Sequence, residues 1–213
     1  DLLAASDAVL PKPEGLGWPE AAGLLLTGAT AVHTLVATGV HEGDTVLVHG
    51  AAGGVGLMAV QLAALRGARV VGTASERNHG LLRELGAEPV TYGDGLAERV
   101  RAAAPGGVDA ALDLVGTDEA LDVSLSLVDD RDRIATIASF ARGGEEKVKV
   151  LGGGPGADPG DDIRTGARAE LLELAGSGRL RVVVDSTYPL AEAAAAHRRV
   201  AGGHVTGKVV LLP

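Results

Sequence analysis

Residues 45–48 are an unbroken β-branched and aliphatic run, the pattern of a parallel strand buried on both faces. Glycines follow in Gly50-Ala51-Ala52-Gly53-Gly54-Val55-Gly56. Over 55–66 the apolar residues Val55, Met58, Ala59, Leu62, Ala63 and Leu65 then recur at helical spacing. The same alternation continues: strand 69–73, helix 76–85 with Gly86 as its left-handed cap, strand 88–91, helix 96–104, strand 108–115, helix 118–127, strand 133–138 and an edge strand from Val148 to Leu151. Five or more β-α units in succession predict an α/β fold, a doubly wound parallel sheet of the Rossmann type.

Outside that core, Pro19 in a first helical turn opens a helix over 20–26, and Thr27-Gly28 separates it from a second helical stretch over 29–38. Residues 143–144 and 152–160 read as glycine-rich loops. A helix over 162–175, a strand over 181–188, an alanine-rich helix over 191–200 carrying a surface His197, and a strand over 205–212 complete the pattern.

Composition narrows the function. The 213 residues carry one Trp, two Tyr and one Phe, so the core must be aliphatic. A net charge of −9 without a basic cluster argues against nucleic acid and anionic membranes. No cysteine is present, which excludes disulfides, a thiol nucleophile and a thiolate metal site. The six histidines lack metal-binding spacing, so no zinc is expected. No uninterrupted apolar run reaches membrane-spanning length and no leader is evident, which makes the cytoplasm the expected location.

The glycine turn carries the chemistry. Backbone N–H groups at a helix N-terminus hold pyrophosphate oxygens, with help from the helix dipole. A side chain at Gly53 would block that approach, Gly56 would let helix and strand pack closely, and Ala51 stands at the first glycine of the common G-x-G-x-x-G pattern. The second strand ends Ser75-Glu76-Arg77-Asn78. A hydroxyl and a guanidinium there favour a 2′-phosphate, hence NADP(H). Glu76 turned inward would repel that phosphate; turned outward it is an ordinary first-turn residue, and the outward reading is taken.

The strings Leu26-Thr27-Gly28-Ala29-Thr30-Ala31, Ala51-Ala52-Gly53-Gly54-Val55-Gly56, Leu85-Gly86-Ala87 and Gly207-Lys208-Val209-Val210-Leu211 together resemble the zinc-independent quinone oxidoreductase branch of the medium-chain dehydrogenase/reductase superfamily. The resemblance implies that Thr27 and Thr30 flank the nicotinamide half of the cofactor and that Gly53, Gly54, Val55 and Gly56 hold its pyrophosphate. It further implies Ser75, Arg77 and Asn78 at the 2′-phosphate, Tyr92 near the adenosine, and Val115, Ile137, Ala138 and Ser139 along the cleft. His204 and Lys208 lie on a return segment that approaches the cofactor in relatives. For Tyr92 and His204 a plain surface or edge role is the alternative.

Such relatives begin with a GroES-like β domain of roughly a hundred residues. The expected division is therefore 1–20 as the exit of that domain, 21–180 as the NADP(H)-binding domain, and 181–213 as the return toward it. Short remnants of the β domain would stand at both ends, in a trimmed chain or one whose other half is a separate chain. The implied activity is hydride transfer from NADPH to a quinone or an α,β-unsaturated carbonyl. No catalytic side chain is nominated. The alternatives are a non-catalytic NADP(H)-binding module and an enoyl reductase segment of a multidomain synthase, against which the absence of long linkers counts. Pairing of the edge strand with its two-fold copy predicts a homodimer.

Overall fold

In β1 (Thr45–His49) the side chains of Val46 and Val48 are buried on one face of a sheet and that of Leu47 on the other, as the continuous apolar run requires. The computed structural model describes residues 3–5 and 8–213, so the expected exit segment lies partly outside the described residues. All six strands of the main sheet are parallel, in the order β3-β2-β1-β4-β5-β6. They are β2 (Arg69–Thr73), β3 (Ala87–Val90), β4 (Ala110–Asp113), β5 (Ile134–Thr136) and β6 (Lys149–Val150). The order reverses between β1 and β4. A crevice opens there beyond the carboxyl ends of the strands.

Helices cover both faces. On one, α1 (Trp18–Ala37), α2 (Gly54–Leu65) and α7 (Asp161–Gly176) bury Leu24, Leu35, Leu57, Met58, Leu171 and Leu174 against Val46, Val48, Val70 and Leu112. On the other, α4 (Leu96–Ala103) and α5 (Asp118–Leu127) bury Leu96, Val100 and Leu121 against Leu47, Val71 and Ile134. The doubly wound sheet stands as expected.

Several local expectations are corrected. The two helical stretches around Thr27-Gly28 are one continuous helix, α1. Gly28 is a packing site rather than a break: a Cβ there would lie 2.9 Å from a Leu171 methyl of α7. The hydroxyl of Thr27 donates to the Gly23 carbonyl at 2.7 Å and that of Thr30 to Leu26 at 2.8 Å, so neither interrupts the helix. In length and composition α1 could cross a membrane, with 20 residues and mean hydropathy 1.3, against the expectation that no stretch would. It is a core helix, with Leu24, Thr27, Ala31, His33 and Leu35 among its buried residues. Gly143 and Gly144 belong to a helix, α6 (Phe140–Glu145), not a loop, because Gly143 packs where a Cβ would lie 2.7 Å from the Thr136 methyl. The helix expected over 76–85 begins as a 3-10 turn (Glu76–Asn78) and continues as α3 (His79–Glu84), with Gly86 at φ +96° behind it as expected.

The edge strand is shorter than 148–151. Part of its outer side is taken by the chain itself: the Asp158 N–H donates to the Val150 carbonyl at 2.8 Å, and the Gly152 N–H donates to the Asp158 carbonyl at 2.8 Å. A second copy is therefore not needed to cover that stretch of the edge.

The last segment forms a unit of its own. β7 (Val184–Pro189) and β8 (Lys208–Leu212) pair in parallel across α8 (Ala193–Ala201), on which His197 is exposed as expected. A bridge from Gly207 to Gly53 lays this unit on the glycine turn.

Candidate functional site

The turn after β1 is built by backbone requirements. Gly50 adopts φ +70°, its N–H donates to the Thr73 hydroxyl of β2 at 3.2 Å, and the Ala51 N–H donates to the Thr73 carbonyl at 3.0 Å. The Gly53 N–H closes the turn on the Gly50 carbonyl at 3.0 Å. α2 starts directly afterwards, so its first N–H groups have no intrahelical acceptor. Gly56 is the close-packing glycine: a Cβ would sit 2.7 Å from Ala51 Cα and 2.8 Å from its carbonyl carbon, with the Gly50 oxygen nearer still. Gly53 is different. A Cβ there would meet only the Gly50 oxygen, at 3.3 Å, and would otherwise enter open space.

That space is a cleft of about 700 Å³ at the carboxyl ends of β1, β2 and β4. The turn contributes Gly50, Ala52 and Gly53; the end of β2 contributes Ser75, Arg77 and Asn78; Tyr92, Val115 and His204 complete the expected residues that line it. Glu76 is exposed and does not line it, in keeping with the outward reading.

Nine expected residues lie outside this lining. Ala51 is buried beneath Gly72 of β2; Gly54 faces the return segment, where a Cβ would lie 2.8 Å from Lys208 Cδ; Val55 and Gly56 pack behind the turn. Thr27 and Thr30 are buried in α1 with their hydroxyl protons committed to their own helix. Ile137, Ala138 and Ser139 follow β5, where the Thr136 hydroxyl oxygen accepts the Ala138 and Ser139 N–H groups at 3.2 and 2.9 Å.

Asp113 organises the strand ends. Its buried carboxylate accepts the Thr136 hydroxyl at 2.8 Å and the Val115 and Gly116 N–H groups at 3.1 and 2.8 Å. With all three bonds made inside the protein, it serves to hold the strand ends together.

The return segment is clasped over the cleft. Arg77 donates to the His204 carbonyl at 3.1 Å, the Thr206 hydroxyl donates to Asn78 Oδ1 at 2.9 Å, and the Thr206 N–H donates to Asp185 at 3.2 Å. Arg199 forks onto the same Asp185 carboxylate at 2.8 and 3.1 Å. Burial alone would raise the Asp185 carboxyl, but Arg199, the Thr206 N–H and the Ser186 hydroxyl together hold it below its ordinary value.

Residues that the sequence did not single out also line the cleft, among them His49, Thr73, Thr117, Glu119, Gly203 and Val205. Glu119 accepts the Gly93 N–H at 3.0 Å and so fixes the loop that carries Tyr92. Position at a strand end was available as a signal for His49 and Thr73. Nothing local marked Glu119.

The sequence profile of the zinc-binding dehydrogenase family matches residues 85–211. The zinc of that description does not fit these residues: the chain has no cysteine, and among the described residues no group of three or more His, Asp or Glu could hold a metal. The polyketide synthase system protein NorB of Streptomyces orinoci is 35% identical over 214 residues, 95% of this chain and 10% of NorB. The quinone oxidoreductase of Pseudomonas aeruginosa is 31% identical over 99% of this chain and 70% of its own length. The structure of the Escherichia coli quinone oxidoreductase complexed with NADPH superposes with a TM-score of 0.81 at 26% identity, over 98% of this chain and 69% of that one.

Proposed function

Because this chain belongs to the zinc-binding dehydrogenase family, as the cofactor-binding part of the quinone oxidoreductase-like branch of the medium-chain dehydrogenase/reductase superfamily, we propose that it binds NADP(H) for an oxidoreductase that reduces a quinone or an α,β-unsaturated carbonyl. The observation that carries this reading is the cleft at the strand-order reversal, with the Gly50–Gly53 turn at its centre and Ser75, Arg77 and Asn78 at one end. The turn and the N-terminus of α2 suit a pyrophosphate. Arg77 suits a 2′-phosphate through paired N–H donors, which requires it to exchange the His204 carbonyl for phosphate oxygens. Tyr92 and Val115 would wall the adenosine half.

When bound, NADPH supplies a hydride, which the acceptor takes up with a proton to leave a hydroquinone or a saturated carbonyl. The protein's part is to position the cofactor and exclude water. Thr27, Thr30, Gly54, Val55, Gly56 and residues 137–139 would support the turn and the nicotinamide half from behind the described cleft. Residues 1–20 and 181–213 would join this domain to the GroES-like domain that shapes the acceptor pocket. A cytoplasmic location goes with this reading.

The test is a calorimetric titration of the chain with NADPH and, separately, NADH. NADPH should bind at one site at least tenfold more tightly, about 1.4 kcal/mol. Tighter NADH binding, or none of either by the folded chain, would overturn the cofactor assignment. Quinone-dependent NADPH oxidation then separates a reductase from a binding module.

A second reading, a reductase segment of a multidomain synthase, is supported by the likeness to NorB, of which the chain spans 10%. Enone thioesters reduced in preference to quinones would favour it. Pairing of two copies along β6 is the remaining proposal, and light scattering decides it: with Asp158 on the Val150 carbonyl, a dimer formed there requires that loop to shift.

A further inference from the structure

His49 ends β1, in register with Asp113 of β4, and its side chain shares the face of Leu47. It is 1% exposed and lines the cleft beside Thr73, Leu114, Thr117 and Ala120. Among the described residues its Nε2 is the one buried side-chain nitrogen or oxygen without a hydrogen-bond partner. The other buried polar groups are served. Both ring nitrogens of His33 have partners, in Asp158 and Arg164; Gln61 is tied to the Arg181 backbone; Asp113 accepts three hydrogen bonds. An unmade hydrogen bond in a buried place is costly to keep, and this one belongs to a side chain that lines the cleft after β1.

The chemistry of the missing partner follows from that of the ring. Burial pushes the imidazole down to about 4, against the pull of the Asp113 carboxylate, so it is neutral at physiological pH. A neutral ring offers one N–H donor and one lone pair, and brings no charge to a phosphate. The phosphates have Arg77 and the backbone of the glycine turn. What remains of the proposed cofactor on this side is the uncharged nucleoside, between the end of β2 and the start of α5.

We propose that the Nε2 of His49 is the polar anchor of the adenosine moiety, hydrogen-bonded to it directly or through one ordered water. His49 is thus a positioning residue that touches the cofactor away from the reacting atoms. This rests on the NADP(H) reading above.

The experiment uses 2′,5′-ADP, which carries the adenosine half alone, with the wild-type chain, His49→Leu and His49→Gln. Wild type should bind it, His49→Leu about tenfold more weakly, and His49→Gln, which keeps a side-chain donor and acceptor, to within about threefold of wild type. Without ligand, His49→Leu should melt no lower than wild type, since a buried atom without a partner is replaced by an apolar group. Should His49→Leu fail to fold, ¹⁵N spectra of the wild-type histidines decide: the Nε2 resonance of His49 should move on addition of 2′,5′-ADP and stay still with nicotinamide mononucleotide. Equal binding by wild type and His49→Leu, or an unmoved Nε2 resonance in a sample that binds 2′,5′-ADP, overturns the assignment of His49 alone. No binding of 2′,5′-ADP by wild type removes the cofactor reading and this inference with it.

Discussion

Gly53 and Gly56 stand three residues apart in one turn, and the structure separates their roles. Gly56→Ala would drive a methyl into backbone, 2.7 and 2.8 Å from two atoms of Ala51 and closer to the Gly50 oxygen. Backbone cannot rotate away as a side chain can, so α2 must move off β1. Overpacking of this kind costs about 1–3 kcal/mol, and the backbone neighbours put this site at about 3. For a chain of this size that lowers Tm by about 6–12 °C. Gly53→Ala meets one oxygen at 3.3 Å, and its φ of −75° suits alanine. Its cost to the fold is that of a poorer N-cap, a few tenths to about 1 kcal/mol, but its methyl projects into the cleft.

Thermal denaturation by circular dichroism, paired with calorimetric NADPH titration, should therefore split the two variants. Gly53→Ala should keep Tm within about 3 °C of wild type and lose NADPH binding; Gly56→Ala should lose both. A Gly56→Ala chain that melts with wild type would refute the close-packing argument. A Gly53→Ala chain that binds NADPH normally would refute the path assigned to the pyrophosphate.

Other variants address the electrostatics. Arg77→Ala should weaken NADPH binding by about 10- to 100-fold, the worth of a charged hydrogen-bonding pair, and leave NADH binding within about twofold; equal losses for both cofactors would contradict its placement at the 2′-phosphate. Stability should fall on acidification, in two stages. His49 binds a proton less readily folded (about 4) than unfolded (6.5), so its contribution is intact above pH 6.5 and is lost between 6.5 and 4; the integrated loss is on the order of 3 kcal/mol, and His49→Leu should flatten that part of a urea-denaturation series. Asp44 and Asp185 are held below their ordinary values, so their contributions are present above the unfolded carboxylate range and disappear below about pH 4. Asp185→Asn takes the charge from the partner of Arg199 and Thr206, which should cost about 1–2 kcal/mol and speed amide exchange over 203–207; unchanged exchange there would mean that the clasp is held by other contacts.

Sequence and structure agree most closely where the signal is local. The run over 45–48 is apolar at every position after Thr45, and in the fold it is buried on both faces. The glycine pattern over 50–56 could be read because a tight strand-to-helix turn places its demands on the residues within it, and Gly56 packs on Gly50 and Ala51, six and five residues before it. Ser75 and Arg77 were legible for a similar reason, since the end of β2 must adjoin the turn once the sheet is parallel.

Other features needed the whole fold. Gly28 looks in sequence like a helix break and is instead the place where α1 meets Leu171, over a hundred positions away.

By itself the sequence determined the succession of strands and helices, the glycine turn between β1 and α2 and the charge pattern after β2, because periodicity and backbone conformation are properties of neighbouring residues. Only the tertiary structure decided which of those residues share the cleft, that the return segment clasps it through Arg77 with His204 and Asn78 with Thr206, and that His49 faces it without a partner. Those outcomes depend on which groups far apart in sequence find or fail to find a hydrogen-bond partner when the sheet and its helices close, and no local pattern records that.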